Sequence, residues 1–382
     1  MCTPVLEGNE WKYLKQCLDT AWVSSAGAFV RRFEEETASF LGLPHAVATV
    51  NGTAALHMAL LVAGVEPDHE VLISTLSFIA PANAVRYLGA WPVFMDAEPQ
   101  YWQMDPQKVT DFIEKECRFS DGALWNRGTG RRIKAIVPVH ILGHPVDMQP
   151  LLELAAKYDL AVVEDATESL GAAYRHKPVG TLGDIACLSF NGNKLITTGG
   201  GGMIVTGNEK LAQKARYLTT QAKDDSLEYV HGEVGFNYRL TNLQAAMGCA
   251  QLEQIDRFIA AKRRIAASYQ EALDDLPGIT TIPQAEWAQS VYWLYTILVD
   301  ADAYGINSRE LMRSLEKKKI QTRPLWQPLH LSPAHKESQS YFCHIAEDLN
   351  QQGLSLPSSA GLRDEEIARI VEAIRLLASG GG

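Results

Sequence analysis

The chain has 382 residues, 46% hydrophobic and 21% charged, ordinary values for a soluble globular protein of about two domains. Its 35 basic residues against 45 acidic ones leave a net charge of −10, which disfavours a general nucleic-acid binder while leaving room for a local basic pocket. No apolar run approaches about 18 residues, so no membrane span is expected; Met1–Glu10 lacks the basic-then-apolar order of a signal peptide, and the scattered cysteines, without a CxxC pair, point to reduced thiols in the cytoplasm and against a zinc site.

Along the chain, Ala54–Ala63 reads as a helix ending at Gly64, Val71–Ser74 as a short strand, Pro81–Leu88 as a helix opened by proline and Pro92–Met95 as a strand. Val109–Cys117 is helical, Ala135–Val139 a buried strand, Leu151–Tyr158 helical and Ala161–Val163 a strand; a further apolar run is Ile185–Phe190. Apolar strands alternating with helices predict an α/β architecture with a mostly parallel sheet covered on both faces. Ligands collect at the carboxyl ends of such strands, where Asp165, Ser189 and Lys194 fall. Ser120–Arg132, rich in glycine and arginine, interrupts the pattern and reads as a solvated loop, with a substrate-phosphate or subunit contact as the alternative. After about residue 250 the character changes. Leu252–Leu273 is one long charged helical stretch, followed by Pro277-Gly278, strand-like Trp293–Val299, helix Ser308–Lys317 and Arg323-Pro324-Leu325-Trp326. A large domain over 1–250 and a smaller α+β domain over 251–382 are expected, and Gly380-Gly381-Gly382 reads as a frayed tail.

Lys194 follows one buried run and precedes Thr197-Thr198 and the glycines 199–202, whose backbone freedom would let the chain pass close to a bulky ligand. Asp165 ends another buried run. A lysine amine that forms an imine with an aromatic aldehyde, and a carboxylate that keeps the ring nitrogen protonated, together describe pyridoxal phosphate chemistry. Burial beside a cationic cofactor would lower the lysine's pKa. Glu168 would lie on the same side as Asp165 if Asp165–Ser169 turned into a helix; solvent exposure is its alternative. Asn51-Gly52-Thr53-Ala54, at a helix start, could seat a phosphate on free N–H groups or simply cap the helix. Neither the GxxxxGK[ST] loop nor the GxGxxG fingerprint is present. Phe78 could stack on a flat ring or sit in the core. His140 and His144 flank Gly143 in a segment unsuited to a helix, so hydrogen-bonded histidines are expected rather than a metal site.

These motifs, together with Gly8-Asn9-Glu10, Val23-Ser24-Ser25, Phe33-Glu34, Glu164-Asp165-Ala166, Gly183-Asp184-Ile185, Ser189-Phe190 and Asn237-Tyr238-Arg239, run nearly end to end in the order seen in one family. The chain resembles the DegT/DnrJ/StrS sugar-nucleotide aminotransferases, which have the type I, aspartate-aminotransferase-like fold of pyridoxal-phosphate enzymes. The resemblance implies Lys194 as the Schiff-base lysine, Asp165 as the partner of the pyridine nitrogen and Phe78 as the stacking aromatic. It implies Gly52, Thr53 and Ser189 at the cofactor phosphate. Asn237 would reach that phosphate from a neighbouring subunit, making the enzyme a homodimer with shared sites. At Glu168 the family often has glutamine, contacting the cofactor's phenolic oxygen; the glutamate is a departure.

Asn191-Gly192-Asn193-Lys194, Gly235-Phe236-Asn237-Tyr238-Arg239 and Thr322-Arg323-Pro324-Leu325-Trp326 through His330 look like the branch that aminates C4 of UDP-4-keto-6-deoxy-N-acetylglucosamine, in bacillosamine and legionaminic acid synthesis. The Ser120–Arg132 segment looks more like the legionaminic members. The branch implies L-glutamate as donor and a keto-sugar nucleotide as acceptor, with Asn193, Arg239, Trp326 and His330 as candidate substrate contacts; Trp326 could instead pack between domains. A 3-aminotransferase or cyclitol aminotransferase is the nearest rival, and a non-catalytic cofactor-binding regulator the rival of another class.

Overall fold

The computed structural model describes residues 2–225 and 227–379; the Gly380-Gly381-Gly382 tail lies outside the described residues. The central sheet is built from β1 (His45–Thr49), β2 (Glu70–Ser74), β3 (Trp91–Met95), β4 (Arg132–Val137), β5 (Ala161–Asp165), β6 (Ile185–Ser189) and β7 (Gly202–Thr206), in the spatial order β1-β7-β6-β5-β4-β2-β3. Strands β2 to β6 are mutually parallel, with Ile73 opposite Val137, Ile136 opposite Val162 and Cys187 opposite Asp165. Strand β7 runs against both of its neighbours. Ile73, Val137 and Val163 are fully buried, each contributing roughly 1.5–3 kcal/mol of apolar burial. Such strands, covered on both faces, read as continuous apolar runs rather than alternating ones, and the α/β expectation holds.

The helices start where the chain supplies a cap. Asn51 Oδ1 accepts from Ala54 N at 2.7 Å and opens Gly52–Val62. Asp105 accepts from Gln107 N and Lys108 N and opens Pro106–Glu116, and Asn307 with Glu310 forms a capping box on Ser308–Lys317. Gly52–Val62 is buried on nearly every side, so it runs through the interior rather than over a surface.

Two expectations are corrected. Ser120–Arg132 is not a plain loop: Cys117–Ser120 and Ala123–Asn126 form an antiparallel hairpin that pairs with β4. Its turn is Asp121-Gly122, both at positive φ (54° and 70°), the backbone that a tight two-residue hairpin requires and that Asp-Gly suits. Burial of Leu124, 1% exposed, holds it down. The segment beyond is anchored at the amino end of β2, where buried Glu70 accepts from Asn126 Nδ2 and Thr129 Oγ1, both at 2.8 Å. That is the opposite end of the sheet from the strand carboxyl ends. The long helix expected over Leu252–Leu273 forms but starts later, at Ile255. Asn242–Leu252, opened by a Thr241–Gln244 capping box, ends before Glu253, and Ile255–Leu273 begins anew.

A second, antiparallel sheet has the order Ile279–Thr281, Tyr295–Val299, Gly353–Leu356, Arg323–Pro324. It packs with Ile255–Leu273, Ser308–Lys317, His344–Gln352 and Asp364–Ser379. Ser340–Tyr341 crosses back to pair with β3, and Asp96, just past β3, caps His344–Gln352 through Ile345 N and Ala346 N. No helix among the described residues is long and apolar enough to cross a membrane.

Candidate active site

Beyond the carboxyl ends of β2, β5 and β6 lies a cavity of about 360 Å³. Gly52, Thr53, Phe78, Asp165, Glu168, Ser189, Asn193, Lys194 and Trp326, all singled out from the sequence, line it together, with Asn51, Ser77, Thr167 and Trp293 among the others.

One end suits an anion. The amino terminus of Gly52–Val62 opens here, so its first N–H groups and the helix dipole face the space. A Cβ on Gly52 would stand 2.9 Å from Ser189 Cβ and 3.2 Å from Ser189 Oγ, so only glycine leaves that niche open. The glycines 199–202 do a different job from the one expected. None lines the cavity, and a Cβ on Gly202 would come within 2.4 Å of the Asn51 carbonyl oxygen; β7 needs glycine there so that the Asn51 turn can close over it.

Lys194 sits in a loop held by Lys194 N donating to Asn191 O at 3.0 Å and Thr198 N to Phe190 O at 2.9 Å. Its side chain is 13% exposed. Nζ lies 3.9 Å from the Trp293 ring centroid and 3.7 Å from Glu168 Oε1. Burial pushes the amine below its ordinary range, against the pull of Glu168 and Asp165. Trp293, unread in the sequence as a site residue, is fixed from two sides: its Nε1 donates to Asn193 O at 2.7 Å, and its carbonyl accepts from Lys262 Nζ at 2.7 Å. Lys262, fully buried, also donates to Cys2 Sγ at 3.3 Å and to the Ser358 carbonyl, so its hydrogens serve the structure. Trp326 is stacked beside Trp293 with an 11° interplanar angle and 6.3 Å between centroids, and it also lines the cavity.

Asp165 ends β5, with Oδ1 accepting from Thr167 N at 3.1 Å. Burial raises its carboxyl above the usual range. No helix forms over Asp165–Ser169. That Asp165 bond and Ser169 N donating to Ala166 O at 3.1 Å make a turn instead, since an aspartate offers its own backbone a competing partner. The turn still brings Glu168 to the cavity wall, 5% exposed, with Oε2 accepting from Leu142 N at 2.9 Å. Burial pushes Glu168 up to about 7, partly offset by Lys194. Phe78, 57% exposed, lines the cavity rather than the core.

Three candidates are not brought in. Arg239 pairs with Glu34, which also accepts from Arg216 Nη1 at 2.8 Å and Ala48 N at 2.7 Å, a network that fastens β1 to its flanking helices. His330 bridges Thr75 Oγ1 at 2.7 Å and Glu347 Oε1 at 3.1 Å, next to the cavity but outside its lining. Asn237 is exposed and outside the cavity of its own chain. His140 and His144 are hydrogen-bonded on both ring nitrogens, His140 to Glu164 at 3.1 Å and Val146 N at 3.0 Å, His144 to Pro145 O at 2.7 Å and Ala285 N at 3.1 Å.

The DegT/DnrJ/EryC1/StrS aminotransferase family profile matches residues 4–375. The GDP-perosamine synthase of Caulobacter vibrioides is 40% identical over 375 residues, covering 98% of this chain and 96% of that protein. Among solved structures, DesI in the presence of its TDP-sugar product aligns with a TM-score of 0.87 at 30% identity, over 98% of this chain and 90% of that one. DesV of S. venezuelae, in complex with a ketimine intermediate, aligns with a TM-score of 0.88 at 31% identity, over 98% and 95%. The donor set fits the cofactor of that family: an anion niche at a helix start, a buried carboxyl, a buried lysine and an aromatic face around one cavity. The chain belongs to the DegT/DnrJ/EryC1/StrS aminotransferase family, with its type I fold, and is a pyridoxal-phosphate-dependent sugar aminotransferase.

Proposed function

We propose that this chain transfers the amino group of L-glutamate to C4 of a 4-keto-6-deoxy sugar nucleotide, with UDP-4-keto-6-deoxy-N-acetylglucosamine as acceptor, giving a 4-amino-4,6-dideoxy sugar for surface-glycan synthesis. The observation that carries the reading is the convergence of Lys194, Asp165 and the Gly52–Ser189 niche on one cavity. Bound, pyridoxal phosphate supplies an aldehyde that takes up and hands on the amino group and a ring that absorbs the electron pair left by a departing proton. Asp165 would hold the proton on the ring nitrogen. Gly52, Thr53 and Ser189 would hold the phosphate, and Phe78 would serve as the stacking aromatic. Lys194 would anchor the cofactor and, once its amine is free, would take up and return the proton of the donor's alpha carbon. Asn193 and Trp326, which line the same cavity, are in position to meet the sugar.

The enzyme acts as a homodimer in this reading, with Asn237 completing the partner's phosphate site. Its support is the exposure of Asn237 together with several bare apolar side chains, Trp11 (78%), Trp22 (58%) and Val234 (88%), of the kind that subunit contacts cover. A second reading, a GDP-linked acceptor, is favoured by the 40% identity to a GDP-perosamine synthase; the motifs at 191–194 and 322–330 favour the UDP-linked one. Protein loaded with cofactor, given L-glutamate and a panel of UDP- and GDP-linked 4-keto and 3-keto sugars, separates them by product mass and NMR. A 4-amino UDP-sugar is expected; a 4-amino GDP-sugar alone selects the second reading, and no amination of any keto sugar rejects both.

A further inference from the structure

We propose that Glu168 is the proton partner of Lys194, taking a proton from the ammonium so that the freed amine is uncharged when it acts as a base, and returning it afterwards. The step moves one proton from Lys194 Nζ to Glu168 Oε1: ammonium and carboxylate become amine and carboxylic acid, and no other bond changes.

Two glutamates flank Asp165 in the same segment, and their surroundings differ in kind. Glu164 accepts from Gly180 N at 3.0 Å, Leu182 N at 2.6 Å, Gly183 N at 2.7 Å and His140. Burial alone would raise its pKa, but this set of donors holds it below the usual range, as a fixed anion. Glu168 is buried as deeply yet, among the described residues, has one backbone donor, Leu142 N at 2.9 Å. Leu142 is held at φ 59°, ψ 6°, left-handed backbone that is unfavourable for a leucine by about 1–2 kcal/mol. That conformation aims its N–H at Oε2 and leaves Oε1 facing Lys194 Nζ, 3.7 Å away. The gap exceeds a hydrogen bond, and a small movement of the flexible lysine closes it.

Few groups face the pair. Lys194, in the loop after β6, faces Glu168, Asp165 at the end of β5 and the Trp293 ring from the segment before the second sheet; His140 is turned to Glu164. With the Lys194 side chain 13% exposed and Glu168 5% exposed, bulk water is a poor acceptor for the lysine's proton. Burial moves the two groups toward one another, Glu168 up to about 7 and Lys194 down, which eases exchange of a proton between them.

The test uses the holoenzyme. The infrared spectrum of protein loaded with the amine form of the cofactor, in which Lys194 is free, and carrying 13C-labelled glutamate residues is expected to show a carboxylic-acid band that titrates near neutral pH and is missing from E168Q. Rapid mixing with L-glutamate near pH 7 is expected to be about 10²-fold slower in E168Q, with the near-neutral limb of its pH profile gone, while visible absorption shows the cofactor still bound. A wild-type spectrum without that band, or an E168Q enzyme with the wild-type rate and profile, overturns the proposal. If E168Q does not retain the cofactor, the wild-type infrared titration decides alone, and it needs no amino donor, so its outcome is separate from the choice of L-glutamate.

Discussion

The Trp293 indole faces the Lys194 amine, with 3.9 Å between Nζ and the ring centroid, and the same indole donates to the backbone carbonyl of the residue before that lysine. One side chain from just before the second sheet thus sets both where the lysine loop lies and what its amine meets.

Replacing Trp293 separates those two roles. W293F keeps a ring but loses the Nε1 donor, which is expected to destabilise the fold by about 1 kcal/mol and to slow the half-reaction with L-glutamate modestly. W293L also loses the cation–ring contact, worth about 0.5–2 kcal/mol, and is expected to be the slower of the two. Single-turnover rates and denaturant midpoints check this; a W293L rate equal to wild type would show that the contact is incidental.

Gly52→Ala puts a methyl group where the niche is narrowest, 2.9 Å from Ser189 Cβ. Cofactor dissociation constants, from absorbance titration, are expected to rise at least about tenfold, or 1.4 kcal/mol. Gly200→Ala is the control, because its Cβ would meet only Gln244 Nε2, at 3.9 Å. An unchanged constant for G52A would remove the phosphate from this end of the cavity.

His144 makes acid stability legible. Burial lowers it to about 4 from 6.5, so the unfolded chain binds more protons between those values. Its contribution to stability is complete above about pH 6.5 and is lost as pH falls toward 4, a change of about 2–3 kcal/mol. Glu168, raised in the fold, acts in the opposite sense over part of that range: its contribution falls as pH rises through about 7. It does so in wild type and in H144Q alike, so their difference isolates the histidine. The stability advantage of wild type over H144Q is expected to shrink between pH 7.5 and 4.5; denaturant melts at both pH values would show a constant advantage if the histidine were not buried neutral.

The strands were legible because buried parallel strands are plain apolar runs, and Lys194, Asp165 and Ser189 were legible because each lies where such a run stops. Trp293 was not, since it precedes a strand of a different sheet and only the closing of the chain brings it to the lysine. The Asp121-Gly122 hairpin carried its own signal, a turn pair between two short apolar stretches, hidden by the arginines and glycines around it. Arg239 shows the converse: a basic residue in a motif loop whose charge is neutralised by Glu34, a partner far away in the chain. Glu168 was recognisable as a departure, but its protonation depends on burial and on one N–H from Leu142, which no local pattern announces.

The most direct measurement is borohydride reduction of the cofactor-loaded protein followed by peptide mass mapping. A reduced pyridoxyl group on Lys194 is the expected result, abolished in K194A. A label on another lysine, such as the buried Lys262, or no stable label at all, would contradict the assignment of the site.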